Sequence, residues 1–173
     1  MKLKRKLRLA GIDPESIVDG PGIRAVIFCQ GCVRKCHGCQ NQSTWPVDAG
    51  YEIGNDEIFR GITVNPLCKG VTFSGGEPFL QAEALTELAV ELKRHGYEVA
   101  CYTGYLFEEL AGGTDEQKML LEQIDVLIDG PFIESERSMD LLFKGSRNQR
   151  IIDVRKSIRE GRAVLMADGR WTR

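Results

Sequence analysis

The chain is poor in histidine, has no long apolar run and carries no excess of charge of one sign, and each shortage removes a class of function. Two histidines, His37 and His95, stand among 173 residues, which leaves a hydrolytic site built on imidazole bases almost without material. Nowhere do about 20 apolar residues follow one another to span a bilayer, and the basic opening Lys2 to Arg8 is not followed by the apolar core of a signal peptide. A net charge of −2 gives no global attraction to nucleic acid or to an anionic membrane. The expectation is a cytoplasmic protein with neither partner. Repeats and low-complexity linkers are missing as well. At 173 residues, 42% of them hydrophobic, there is enough for one buried core and little for a second. One domain, 1–173, is expected.

What the chain does have is cysteine, six in all. Cys32, Cys36 and Cys39 lie in the run Gly31-Cys32-Val33-Arg34-Lys35-Cys36-His37-Gly38-Cys39, just past the apolar stretch Ala25 to Phe28. Spaced by three and then two residues on a tight loop, their thiolates can turn toward one point, and soft sulfur favours iron–sulfur clusters, zinc or copper(I). Three ligands leave one iron of a four-iron cluster open to a small molecule that binds through nitrogen and oxygen. Cys29 adds a rival pattern, C-x2-C-x3-C-x2-C, which could close the site around zinc or a saturated, electron-carrying cluster. Alternatively Cys29 is a small buried residue at a strand end. Without an export signal, disulfides are not expected, and Cys68 and Cys101 need only be buried thiols.

Short β-type runs alternate with helical ones along the chain, an α/β pattern. Ala25 to Cys29, Val71 to Ser74, Glu98 to Tyr102, Asp125 to Asp129 and Ala163 to Ala167 read as strands, and their continuous apolar character predicts burial on both faces. Leu3, Leu7 and Leu9 alternate with Lys4, Lys6 and Arg8, which predicts a half-exposed edge strand. Leu85, Leu88, Ala89 and Leu92 mark a crossover helix that Gly96 stops. Further helices are expected over Leu106 to Leu110, Glu116 to Gln123 and Asp153 to Glu160. The cysteine loop, Gly75-Gly76-Glu77-Pro78, Thr103-Gly104 and Asp129-Gly130 each follow a predicted core strand. In a parallel sheet those ends share one edge, where ligands bind. A full eight-stranded barrel needs about 200 residues or more, so a partial, open β/α barrel of about six strands is predicted.

The C-x3-C-x2-C run resembles the signature of radical S-adenosylmethionine enzymes. Its flanks, Asp19-Gly20-Pro21-Gly22-Ile23-Arg24 and Gln40-Asn41-Gln42-Ser43-Thr44-Trp45, are similar to those of the activating enzymes of glycyl-radical proteins. Tyr102-Thr103-Gly104-Tyr105, Asp129-Gly130-Pro131-Phe132 and Gly145-Ser146-Arg147-Asn148-Gln149-Arg150 are most similar to the activators of anaerobic ribonucleoside-triphosphate reductase. The motif-bearing core runs from about 19 to 154. One departure is Gly38, where many radical S-adenosylmethionine enzymes place an aromatic residue. Glycine there allows closer approach of a ligand.

The resemblance implies a [4Fe-4S] cluster on Cys32, Cys36 and Cys39 and S-adenosylmethionine on its open iron. It implies contacts to that cofactor from Gly38, Cys39, Gln40, Gly75, Gly76, Glu77, Thr103, Asp129, Asn148 and Arg150. Gly75-Gly76-Glu77 would meet the methionine amino group and Arg150 a carboxylate; Asp129 could equally cap its own turn. An electron from an external donor such as flavodoxin would cleave the cofactor to methionine and a 5′-deoxyadenosyl radical, which takes hydrogen from a glycine of the partner reductase. No protein acid, base or nucleophile is required. Arg34, Lys35 and His37 would be mostly scaffold, their positive charge tuning the cluster. Other readings are an activase of pyruvate formate-lyase, a radical enzyme acting on a small molecule, and a non-enzymatic four-cysteine metal protein.

Overall fold

A computed structural model describes residues 2–172; the expected domain, 1–173, reaches one residue beyond at each end. Among the described residues, seven strands form one sheet: β1 (Lys6–Ser16), β2 (Arg24–Cys29), β3 (Tyr51–Gly54), β4 (Gly70–Gly75), β5 (Glu98–Tyr102), β6 (Val126–Asp129) and β7 (Arg150–Asp153). Their order is β3-β1-β2-β4-β5-β6-β7, so β3 and β7 are the two ends of an open sheet. The centre, β2, β4, β5 and β6, is parallel, with Ile27 beside Phe73 and Phe73 beside Cys101. The outer pairings are antiparallel. The α/β architecture is as expected, with seven strands in place of about six.

Continuous apolar strands are explained by cover on both faces. Ile27, Phe73, Val99 and Leu127 belong to the larger core cluster, packed with Leu85, Leu88, Ala89 and Leu92. Ala100, Val126, Ile128 and Ile151 form a second cluster around Trp171, which is fully buried. Among the described residues, five α-helices accompany the sheet: α1 (Asn55–Thr63), α2 (Ala82–Arg94), α3 (Phe107–Ala111), α4 (Asp115–Gln123) and α5 (Val154–Glu160). Thr114 and Gln117 close a capping box on α4, and Asp153 caps α5 by accepting from the Lys156 N–H.

Two expectations need correction, and two elements went unforeseen. Ala163 to Ala167 is not a strand; Leu165 makes only an isolated bridge to Ile152, and it is exposed. The sheet takes Arg150–Asp153 instead, whose central pair Ile151 and Ile152 is too short an apolar run to announce itself. The N-terminal strand is not an edge, because β3 pairs outside it and leaves Leu7 and Leu9 fully buried. β3 and α1 themselves were not anticipated. Tyr51-Glu52-Ile53-Gly54 has one aliphatic residue, and its strand character comes from pairing with β1 rather than from its own composition.

Candidate functional site

Because β2, β4, β5 and β6 run parallel, the loops that follow them gather at one edge of the sheet. A cavity of about 550 Å³ opens there, lined by Cys32, Cys36, Cys39 and Gln40 after β2, Gly75, Gly76 and Glu77 at β4, Thr103 and Gly104 after β5, and Gly130 after β6. Four segments far apart in sequence thus share one wall.

The cysteine loop is fastened at its base. Gly31 N–H donates to Thr44 O at 2.7 Å and Cys32 N–H to Trp45 O at 3.1 Å, while Gln30 Nε2 donates to Pro46 O at 2.6 Å. Inside the loop, Cys39 N–H reaches Cys36 O at 3.1 Å and Asn41 N–H points at Cys39 Sγ at 3.4 Å. Burial raises the Cys32 thiol above its ordinary range, and the backbone N–H groups of Lys35 and Arg34 work in the opposite direction, toward thiolate. Arg34 ties the loop to the next one, lying 4.3 Å from the centre of the Tyr105 ring and 3.1 Å from Glu109 Oε2. His37, almost wholly exposed, pairs with Glu134 at 2.7 Å.

Among the described residues, no three Cys, His, Asp or Glu side chains are drawn into a ready metal cage. The three loop thiols nevertheless line one cavity, two of them, Cys32 and Cys39, with amide N–H groups directed at the sulfur, and soft donors of that kind suit an iron–sulfur cluster that itself completes the convergence. Cys29 is elsewhere. It is fully buried in the larger core cluster, outside the cavity lining, and burial, then the nearby Glu77 charge, pushes its thiol well up.

The Gly75-Gly76-Glu77 turn is bonded to the start of the cysteine loop. Gly76 N–H donates to Cys29 O at 2.7 Å and Glu77 N–H to Gly31 O at 2.8 Å. A Cβ on Gly76 would lie 2.2 Å from Gly31 O, so the close approach that glycine permits here is first of all to the cysteine loop. Glu77 is buried; its Oε1 accepts from Thr103 Oγ1 at 2.8 Å and Phe79 N–H at 3.1 Å, and its Oε2 from Gly104 N–H at 2.8 Å. Burial pushes this carboxyl up to about 7 against those hydrogen bonds. Its oxygens therefore brace the β4 and β5 loops rather than reaching freely into the cavity. Gly38 has φ +73°, and a Cβ there would meet the Glu134 carboxyl at 2.7 Å; it is absent from the cavity lining. Its positive φ and the Glu134 carboxyl beside it both call for glycine at this turn.

Asp129, Asn148 and Arg150 also lie outside the lining. Asp129 is fully buried, accepts from Phe107 N–H at 2.8 Å and is gripped by Arg150. Arg150 also bonds Glu108. Asn148 Nδ2 donates to Pro131 O at 2.8 Å, and its buried Oδ1 has no partner among the described residues. From that late motif it is Gly145 and Gln149 that reach the lining. Sequence reasoning also passed over Asp19, Tyr102, Arg137 and Lys144, all of which line the cavity. Asp19 and Tyr102 stood within quoted motifs; Arg137 and Lys144 carried no pattern to set them apart from surface cations.

The model of the 4Fe-4S single cluster domain matches residues 18–152. The chain is 36% identical over 144 residues, 79% of its length and 91% of the relative, to the anaerobic ribonucleoside-triphosphate reductase-activating protein of Vibrio cholerae serotype O1. It is 32% identical to the protein of that name from Escherichia coli K12, over 82% of this chain and 96% of the relative. With the one from Enterobacteria phage T4 it shares 34% identity, over 81% and 90%. No helix among the described residues is long and apolar enough to cross a membrane.

Proposed function

This chain belongs to the family of anaerobic ribonucleoside-triphosphate reductase-activating proteins, and we propose that the cavity at the sheet edge is where it does its work. As a member it is a radical S-adenosylmethionine enzyme with a [4Fe-4S] cluster, and the reductase is its partner. When bound, cluster and S-adenosylmethionine supply a 5′-deoxyadenosyl radical that installs a glycyl radical on the reductase. The observation that carries the assignment of the site is the meeting of Cys32, Cys36 and Cys39 with the β4 and β5 loops in one cavity.

In this reading Cys32, Cys36 and Cys39 hold the cluster, and the backbone of Cys39, Gly75 and Gly76, with Gln40 and Thr103, lines the cofactor. Ammonium donors need carbonyl or hydroxyl acceptors, which those positions offer. Glu77 positions Thr103 and Gly104, and the Arg150–Asp129 pair braces the wall from behind. The polypeptide's part is to orient cofactor and target and to exclude water. The open sheet then serves as a partial barrel within one domain, 1–173, in the cytoplasm, fed by a flavodoxin-type donor. Burial of Cys29 in the core argues against a closed four-cysteine site, and the matched relatives against a pyruvate formate-lyase activase.

The test is anaerobic reconstitution with iron and sulfide, followed by electron paramagnetic resonance with and without S-adenosylmethionine and assay of 5′-deoxyadenosine. A reduced-cluster signal that changes with the cofactor, and that disappears in Cys32→Ala, supports the reading. A signal indifferent to S-adenosylmethionine defeats it.

A further inference from the structure

Five charged side chains line the cavity: Asp19, Arg34, Glu77, Arg137 and Lys144. Three are committed. Asp19 accepts from Ser16 Oγ at 2.5 Å, Glu77 accepts three hydrogen bonds, and Arg34 is spent on Glu109 and the Tyr105 ring. Arg137 and Lys144 make neither a side-chain hydrogen bond nor an ion pair among the described residues, while every acid of the lining is already occupied. They are also held near one another. Arg137 bridges antiparallel to Ser146, Arg147 N–H donates to Glu136 O at 2.9 Å, and the buried Ser146 hydroxyl accepts from Ile133 N–H at 3.2 Å. Two cations on adjacent, anchored backbone segments give the cavity one positive wall.

That wall needs an anion, and resting on the function proposed above, we infer that Arg137 and Lys144 take the α-carboxylate of S-adenosylmethionine. Arg150 is not available for it, because both its arms are bonded to Asp129 and Glu108. A guanidinium offers a carboxylate two parallel N–H groups, and an ammonium adds a point charge. A carboxylate of the partner reductase could use the same cations, but Arg137 and Lys144 share their cavity with the three cluster cysteines. The cofactor's own carboxylate is the anion that must come there in every turnover.

Equilibrium dialysis of the cluster-loaded protein with S-adenosylmethionine and with its decarboxylated analogue separates the possibilities. Arg137→Ala and Lys144→Met should each weaken S-adenosylmethionine about tenfold, the scale of a charge-assisted hydrogen bond. Neither should change binding of the analogue, which lacks the carboxylate. Arg147→Ala, which removes an exposed charge outside the lining, controls for net charge, and iron content with circular dichroism confirms intact folded protein. Variants that bind S-adenosylmethionine as the unmodified protein does, or that weaken both ligands alike, would overturn the inference. If only affinity for the reductase falls, the anion belongs to the partner and the inference is likewise wrong. Failure of the unmodified protein to bind S-adenosylmethionine at all would instead remove the functional reading on which it stands.

Discussion

Arg150 grips Asp129 with two hydrogen bonds, Nε to Oδ1 at 2.9 Å and Nη2 to Oδ2 at 2.5 Å, outside the cavity whose cofactor both residues were expected to touch. The pair joins the ends of β6 and β7, and Asp129 Oδ2 also accepts from Phe107 N–H at the start of α3. The hydrogen bonds from Arg150 hold the Glu108 carboxyl below its usual range. Those partners account for the buried carboxylate within the fold. Asp129→Ala should therefore lower stability by about 3 kcal/mol, since it leaves a cation and an N–H without their partner. Folded variant should bind S-adenosylmethionine as before. Urea unfolding and dialysis on the same preparation check both halves; weaker binding at unchanged stability would restore a direct cofactor role.

Cys29 and Cys32 are three residues apart and should behave oppositely. Cys29 packs in the core with no exposure, whereas Cys32 lines the cavity. Cys29→Ala should reconstitute with full iron and sulfide and lose about 1 kcal/mol of stability through the removed sulfur. Cys32→Ala should not hold a stable cluster. Iron and sulfide analysis decides, and equal loss in both variants would revive the four-cysteine site.

The parallel centre was legible because each of its strands is a run of apolar residues and ends in a glycine or hydroxyl turn, and that alone put the cysteine loop, Gly75-Gly76 and Thr103 on one edge. Side-chain commitments were not legible. The Asp129–Arg150 grip spans 21 residues, and no periodicity reports a contact of that kind. Glu77 looked like a ligand group because its motif sits at the right strand end; only the geometry shows three donors converging on its oxygens. Arg137 and Lys144 were hidden for the converse reason, since an unpaired cation looks in sequence like any solvated one. The charged residues beside Leu7 and Leu9 suggested an exposed edge, but Lys4 and Arg5 N–H groups are bonded to Glu87 and β3 covers the strand.

Glu77 should make stability fall as pH rises from about 4.5 to 7. Its folded value of about 7 lies above the ordinary 4.5, so between those values the native state binds more proton than the unfolded chain. The contribution is complete below about pH 4.5 and is lost by pH 7, a cost to the fold on the order of 3 kcal/mol. Glu77→Gln cannot ionise. Urea midpoints of the apoprotein, measured across this window, should slope downward for the unmodified chain relative to Glu77→Gln. Parallel profiles would mean that the three hydrogen bonds outweigh burial and that the carboxylate is ionised throughout.

Trp171 packs against Phe143, a residue of the cavity lining. It is fully buried, meets the Phe143 ring edge-on at 5.4 Å between centres, and lies under the Arg24 guanidinium at 5.2 Å. Phe143 in turn lines the cavity and its carbonyl accepts from Tyr102 Oη at 2.9 Å. Trp171→Ala should cost about 3–5 kcal/mol, as large-to-small changes of buried aromatics do. It should also loosen Phe143 and Tyr102, and so weaken S-adenosylmethionine even in protein that is still folded. Trp171→Phe keeps much of the packing volume and should recover most of both losses. Thermal unfolding alongside cofactor titration provides the check. A large loss of stability with unchanged affinity would show that Trp171 bears on the fold alone, and that the cavity wall is set by the cysteine and glycine loops.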